Sequence, residues 1–147
     1  HLDIVGTGPY LNDLKILTNK LDVDEKVTFH GRVDDDELAR IYAAADIYLI
    51  PTMRYEGLPL ALLEAMSHGI PTISSEIGGN ADVITHDFDG LFIKPGDMDE
   101  LVSSIRKLGD DSKLRNSISI AARETTEKRF DKERMVKETL EILENMS

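Results

Sequence analysis

The 147-residue chain has no cysteine, which excludes disulfides and thiolate metal sites and is compatible with a cytoplasmic setting. No apolar stretch approaches the roughly 20 residues that cross a bilayer as a helix. Low-complexity segments and internal repeats are also lacking. Basic residues are scarce in the first hundred positions, with 7 Lys and Arg against 19 Asp and Glu, whereas residues 101–147 hold 10 against 9. The net charge of −11 therefore resides in the first hundred residues. So acidic a body repels DNA, RNA and anionic lipid, and no nucleic-acid partner is expected. The remainder is ordinary for one soluble globular domain: 41% apolar and 31% charged residues, in a chain long enough to bury a core.

Short β-like runs alternate with helical patterns. Leu2 to Val5 reads as a strand followed by the turn GTGP, and residues 10–21 place Leu11, Leu14, Ile16, Leu17 and Leu21 mostly at helical spacing. Lys26 to Gly31 is a second strand, and Asp34 with Glu37 opens a helix through Ala43 as a capping box. Asp46 to Pro51 is a third strand, too apolar to alternate and so expected to be buried on both faces. Pro59 starts a helix that Gly69 and Pro71 end. Strands over 71–75 and 90–95, a short helix from Gly78, a cap at Asp97 with Glu100, and helix breaks near Gly109–Asp110 and Phe130–Asp131 complete the chain. This alternation predicts an α/β, doubly wound, Rossmann-like parallel sheet with helices on both faces. Ligands of such sheets bind at the carboxyl ends of the strands, which directs attention to GTGP, HGRV, PTMRYEG and SSEIGG.

Within RYEGLPLALLEAMSHGIP, Glu56 and Glu64 stand eight positions apart, and Glu64 lies in an apolar helix expected to be buried. A buried carboxylate needs donors, from protein, water or a ligand. A pair of ribose hydroxyls would serve. The amides of Gly57, Leu58 and Leu60 lie where a helix start leaves donors unpaired, suited to phosphate or another oxygen-rich group. Equally, Glu64 can pair with a neighbouring Lys or Arg, and Glu56 can cap the helix.

EGLPLALLEAM resembles the E-x7-E element of retaining glycosyltransferases of the two-Rossmann-domain (GT-B) type, family 4 or "group 1". LDIVGTGPY, KVTFHGRV, ELARIYAAADIYLIPT, SHGIPTISSEIGGNADVI, DGLFIKPGDMDEL and RFDKERM are similar to that family's successive elements in the same order. The glutamate usual after the Gly-Gly turn is Asp82 here. The resemblance implies that Glu64 bonds the ribose of a nucleotide-sugar donor and that Glu56, the catalytic candidate, lies beside the transferred sugar. It implies that Gly57, Leu58, Pro59 and Leu60 face sugar and phosphates, that Gly6 and Gly8 line the nucleotide, and that Arg32 and Val33 lie near the base. No metal and no cofactor is expected, since the UDP-, GDP- or ADP-sugar is a substrate. The implied enzyme is cytoplasmic and acts in polysaccharide biosynthesis, with any peripheral membrane contact supplied by another domain.

Other readings remain open at this stage. A dinucleotide-dependent oxidoreductase would need a third glycine where Leu11 stands. A glycosidase would need Glu56 and Glu64 as paired carboxylates across a glycosidic bond. A non-catalytic nucleotide-binding module is the third reading.

The resembling enzymes hold the donor diphosphate with an Arg and a Lys from a strand and turn that match nothing in these residues, and bind a glycan or lipid-linked acceptor on an N-terminal domain. Residues 1–147 are accordingly expected to be a partial donor domain, including C-terminal helices, without its first strand and helix and inactive alone. In the order 3-2-1-4-5-6 that strand would lie between those starting at Leu2 and Asp46. Of the cations before residue 100, Arg32 and Arg54 are the ones expected in or beside the strand-end loops.

Overall fold

The computed structural model describes residues 1–145 as two compact units, 1–44 and 45–145. In the first, β1 (Leu2–Val5) leads to α1 (Leu11–Lys20), a 3-10 turn (Asp24–Lys26), β2 (Val27–Gly31) and α2 (Asp35–Ala44). β1 and β2 pair in parallel, Leu2 opposite Val27 and Ile4 opposite Phe29. The cap expected at Asp34 is present, its Oδ1 accepting the Glu37 amide at 2.9 Å.

The second unit contains β3 (Tyr48–Ile50), α3 (Leu60–Ser67), β4 (Thr72–Ser75), α4 (Gly79–Val83), β5 (Leu91–Ile93), α5 (Met98–Asp110), α6 (Ser112–Arg129) and α7 (Lys132–Asn145). Its parallel sheet runs β3-β4-β5, with Leu49 opposite Ile73 and Ile73 opposite Leu91. Alternation along the strands sorts the core. Ile73, Leu91 and Ile93 pack with Leu101, Leu108 and Ile118, and Leu49 joins them. Ile50 and Phe92 point the other way, onto Leu62, Met66, Val83, Ile84 and Ala122. Helices therefore cover both sheet faces, as the βαβ pattern requires.

Strand pairing gives a two-stranded and a three-stranded sheet, with no ladder between β1 and β3 among the described residues, in keeping with an expected order in which those two strands are not neighbours. One expectation needs correction: β3 is half-buried, and β4 is the strand buried throughout. β4 has a bonded neighbour on each side, whereas β3 has one. The break expected near Gly109–Asp110 falls at Asp111, whose carboxylate accepts the Lys113 and Leu114 amides at 3.0 and 2.9 Å. That side chain caps α6 better than glycine could.

The Asp97 cap forms, its Oδ1 accepting the Glu100 amide at 2.9 Å, while the Glu100 carboxylate reaches back to the Lys94 amide at 2.7 Å. Asp89 is buried and fully used: Oδ1 takes the Thr85 amide and Oδ2 the Thr125 hydroxyl, at 2.6 and 2.7 Å. That pair ties α6 to the turn preceding β5.

Candidate functional site

The loops at the carboxyl ends of β3, β4 and β5 gather on one edge of the second unit. The longest, residues 51–59, carries Glu56 and Gly57 and delivers the chain to α3. Pro59 precedes that helix in an extended conformation, φ −81° and ψ 94°, and no side chain caps it. The amides of Gly57 and Leu58 donate to no acceptor among the described residues. A Cβ at Gly57 would meet nothing within 4 Å, so packing does not demand glycine there. What a glycine leaves at such a place is room for a ligand to approach the backbone.

Glu64 is exposed, contrary to the expectation of a buried carboxylate. The cause is helical geometry. Leu62, Ala65 and Met66 share the inward stripe of α3, which places Leu60, Ala61, Glu64, Ser67 and His68 on the outward one. Leu60 is 66% exposed and Leu58 53%, so part of the apolar run is surface rather than core. No Lys or Arg lies within ion-pair distance of the Glu56 or Glu64 carboxylate among the described residues. Glu64 thus has no Lys or Arg partner, and Glu56 does not cap α3.

Tyr48, which sequence reasoning passed over, links the two acids. It shares the α3-facing side of β3 with Ile50. Burial pushes its phenol above the ordinary tyrosine range, and the charges of Glu64 and then Glu56 push it further. One phenol therefore feels both carboxylates. The only signal in the sequence was a tyrosine two residues before the end of an apolar strand.

A raised tyrosine pKa in the folded state contributes nothing at neutral pH, and stability falls once pH passes about 10, where the unfolded chain begins to ionise first. Ultraviolet titration at the phenolate band should show one of the four tyrosines ionising late, and Glu64→Gln should bring it earlier. No change on that substitution would separate Tyr48 from Glu64.

The β4–α4 turn supports the Glu56 loop directly. Gly79 N–H donates to the Glu56 carbonyl at 2.9 Å. Gly78 has φ 57° and ψ −144°, and a Cβ on it would lie 2.6 Å from the Glu56 carbonyl oxygen. The β5 loop adds Lys94, which sequence reading placed inside a strand. The strand ends at Ile93, so Lys94 joins Arg54 as an exposed cation of these loops.

In the first unit, Gly6 (φ 113°) donates its amide to the Gly31 carbonyl at 2.7 Å, drawing the loops after β1 and β2 together. Arg32 is exposed and Val33 half-buried beside that junction. Gly8 accepts the Leu11 amide at 3.2 Å, and Cβ atoms at Gly6 and Gly8 would meet nothing within 4 Å. The hollows of about 280 and 580 Å³ lie elsewhere, one lined by Asp3, Glu37, Arg40, Ile41 and Ala44, the other along α7. Neither contains a strand-end loop, where ligands of such sheets bind.

Residues 1–125 match the family described as Glycosyl transferases group 1. The chain belongs to that family. Sulfoquinovosyl transferase SQD2 of Arabidopsis thaliana is 39% identical over 127 residues, covering 84% of this chain and 24% of that protein. The GDP-mannose-dependent alpha-(1-6)-phosphatidylinositol monomannoside mannosyltransferase of Mycobacterium tuberculosis is 34% identical over 138 residues, covering 88% and 36% respectively. The HepE protein of Anabaena, solved with UDP and glucose, superposes with a TM-score of 0.90 at 24% identity, over 97% of this chain and 40% of that one. The last shows a shared fold. The group 1 chain thus spans roughly a quarter to two fifths of these three proteins. Among its described residues, no helix is long and apolar enough to cross a membrane.

Proposed function

We propose that this group 1 chain is the donor-binding part of a retaining glycosyltransferase. The observation that carries the reading is the pair Glu56 and Glu64. Both carboxylates are exposed with no Lys or Arg ion-pair partner among the described residues, both act on the Tyr48 phenol, and both flank the free Gly57 and Leu58 amides. In this reading Glu64 accepts hydrogen bonds from the ribose of a nucleotide-sugar, Glu56 lies beside the transferred sugar, and the amides of Gly57, Leu58 and Leu60 take sugar or phosphate oxygens, with Pro59 beside them.

Relatives named for GDP-mannose and a neighbour solved with UDP support a nucleotide-sugar donor and leave the base open. The acceptor, a glycan or lipid-linked sugar, would be held by another part of the full-length protein. The bond from the anomeric carbon to the diphosphate breaks and the bond to the acceptor oxygen forms on the same face. The acceptor proton passes to the departing phosphate oxygen. Glu56 steadies positive charge developing on the sugar rather than forming a covalent bond. Proton NMR of the first product formed by the full-length protein from UDP- and GDP-sugars tests this. Retention of the donor's anomeric configuration is expected. An inverted product, or a glycosyl adduct on Glu56 detected by mass spectrometry, would overturn the mechanism.

A further inference from the structure

The catalytic candidate Glu56 lies on a nine-residue loop, yet a site needs its groups held to fractions of an ångström. Something must fix that loop. Its own contacts are few: Thr52 donates to the Ile50 carbonyl, and the Thr52 hydroxyl accepts the Arg54 amide at 3.1 Å. Neither reaches Glu56. The backbone contacts that do reach it come from the next loop, between β4 and α4.

We propose that Gly78, Gly79 and Asn80 form a seat that positions Glu56, so that these three are positioning residues for glycosyl transfer. The inference rests on the role given to Glu56 above. Three observations carry it. First, Gly79 N–H holds the Glu56 carbonyl at 2.9 Å. Secondly, the two loops touch backbone to backbone. A Cβ on Gly78 would stand 2.6 Å from the Glu56 carbonyl and 3.0 Å from its amide nitrogen, and one on Gly79 would overlap the Gly57 carbonyl. Backbone cannot step aside as a flexible side chain does, so any other residue displaces the Glu56–Gly57 peptide. Thirdly, the seat is anchored below. Asn80 is 2% exposed, and its Nδ2 donates to the carbonyl of Ser75, the last residue of β4, at 3.3 Å. The Ile77 amide donates to that same carbonyl at 2.9 Å, which closes the turn. A central, fully buried strand thereby fixes the turn, and the turn fixes the glutamate.

Glu64 is held independently. It stands on α3, which Leu62, Ala65 and Met66 bind to the core. Disturbing the seat should therefore impair turnover while sparing binding of a bare nucleoside diphosphate. That split distinguishes positioning from general damage to the fold.

The test uses the full-length protein. Gly79→Ala should lower kcat by about 100-fold, the loss a displacement near 1 Å can cause. UDP or GDP affinity should fall by no more than about tenfold, since the ribose contact on Glu64 stays, and hydrogen exchange should rise at the residue-79 amide, which donates to the Glu56 carbonyl. Combined with Glu56→Gln, Gly79→Ala should cost little more than Glu56→Gln alone, because both remove the same contribution. If Gly79→Ala does not fold, Asn80→Asp takes its place. That change keeps the shape, puts an acceptor against the Ser75 carbonyl, and should give the same split and the same rise in exchange. Multiplying losses in the double variant, or unchanged exchange of the residue-79 amide in the single variants, would overturn the seat. Unchanged turnover in Glu56→Gln would instead overturn the role of Glu56 on which the seat depends.

Discussion

Glu56→Gln in the full-length protein is expected to lower kcat by about 100- to 1,000-fold, roughly the ~2.7–4 kcal/mol lost when one preorganised polar group facing the transition state is removed. The substitution keeps size and hydrogen-bonding reach and deletes the charge. As the bond to the diphosphate lengthens, positive charge grows on the sugar ring, and a carboxylate beside it is worth most at that moment. Ground-state binding of a bare nucleoside diphosphate does not use this contact and should be unaltered. Exposure of Glu56 does not weaken the argument, because donor and acceptor together would exclude water from it. Steady-state kinetics with a saturating donor reads the result. Loss in KM with kcat intact would make Glu56 a binding group only.

Glu64→Ala should weaken binding of UDP or GDP to the full-length protein by about 1.5–3 kcal/mol, the range for hydrogen bonds to a charged group. That corresponds to roughly 10- to 150-fold in Kd. The free carboxylate is hydrated, so part of what each ribose hydroxyl supplies replaces water, and the lower half of the range is the better expectation. A 2′,3′-dideoxy nucleotide should bind wild type and Glu64→Ala alike, since neither complex has the contact. Calorimetry on the four combinations isolates it.

The parts of the fold legible in the sequence were those with local causes. Asp34 and Asp97 announced helix starts through side-chain acceptors three residues ahead of an amide, and both caps form. Gly69 with Pro71 announced the end of α3, and its φ of 71° shows why glycine is used there. The βαβ alternation announced parallel pairing, which both sheets obey. The environment of Glu64 was not legible. Composition of the EGLPLALLEAM run suggested burial all round, whereas Leu60, Ala61, Glu64, Ser67 and His68 of that stretch and its helix end are exposed. Amphipathicity cannot be read where the outward stripe is itself leucine and alanine. Tyr48 was equally hidden, because its nearness to both acids is tertiary. The role of Gly78 and Gly79 as a seat for a different loop was beyond sequence reading too, since a Gly-Gly pair announces a turn but not what lies against it.

The most direct test is a crystal structure of the full-length protein with an intact UDP- or GDP-sugar bound. The account predicts both ribose hydroxyls at about 2.6–3.0 Å from the Glu64 carboxylate, with Glu56 beside the sugar ring and the Gly57 and Leu58 amides on ligand oxygens. A ribose bound away from α3, with Glu64 still facing water, would contradict it.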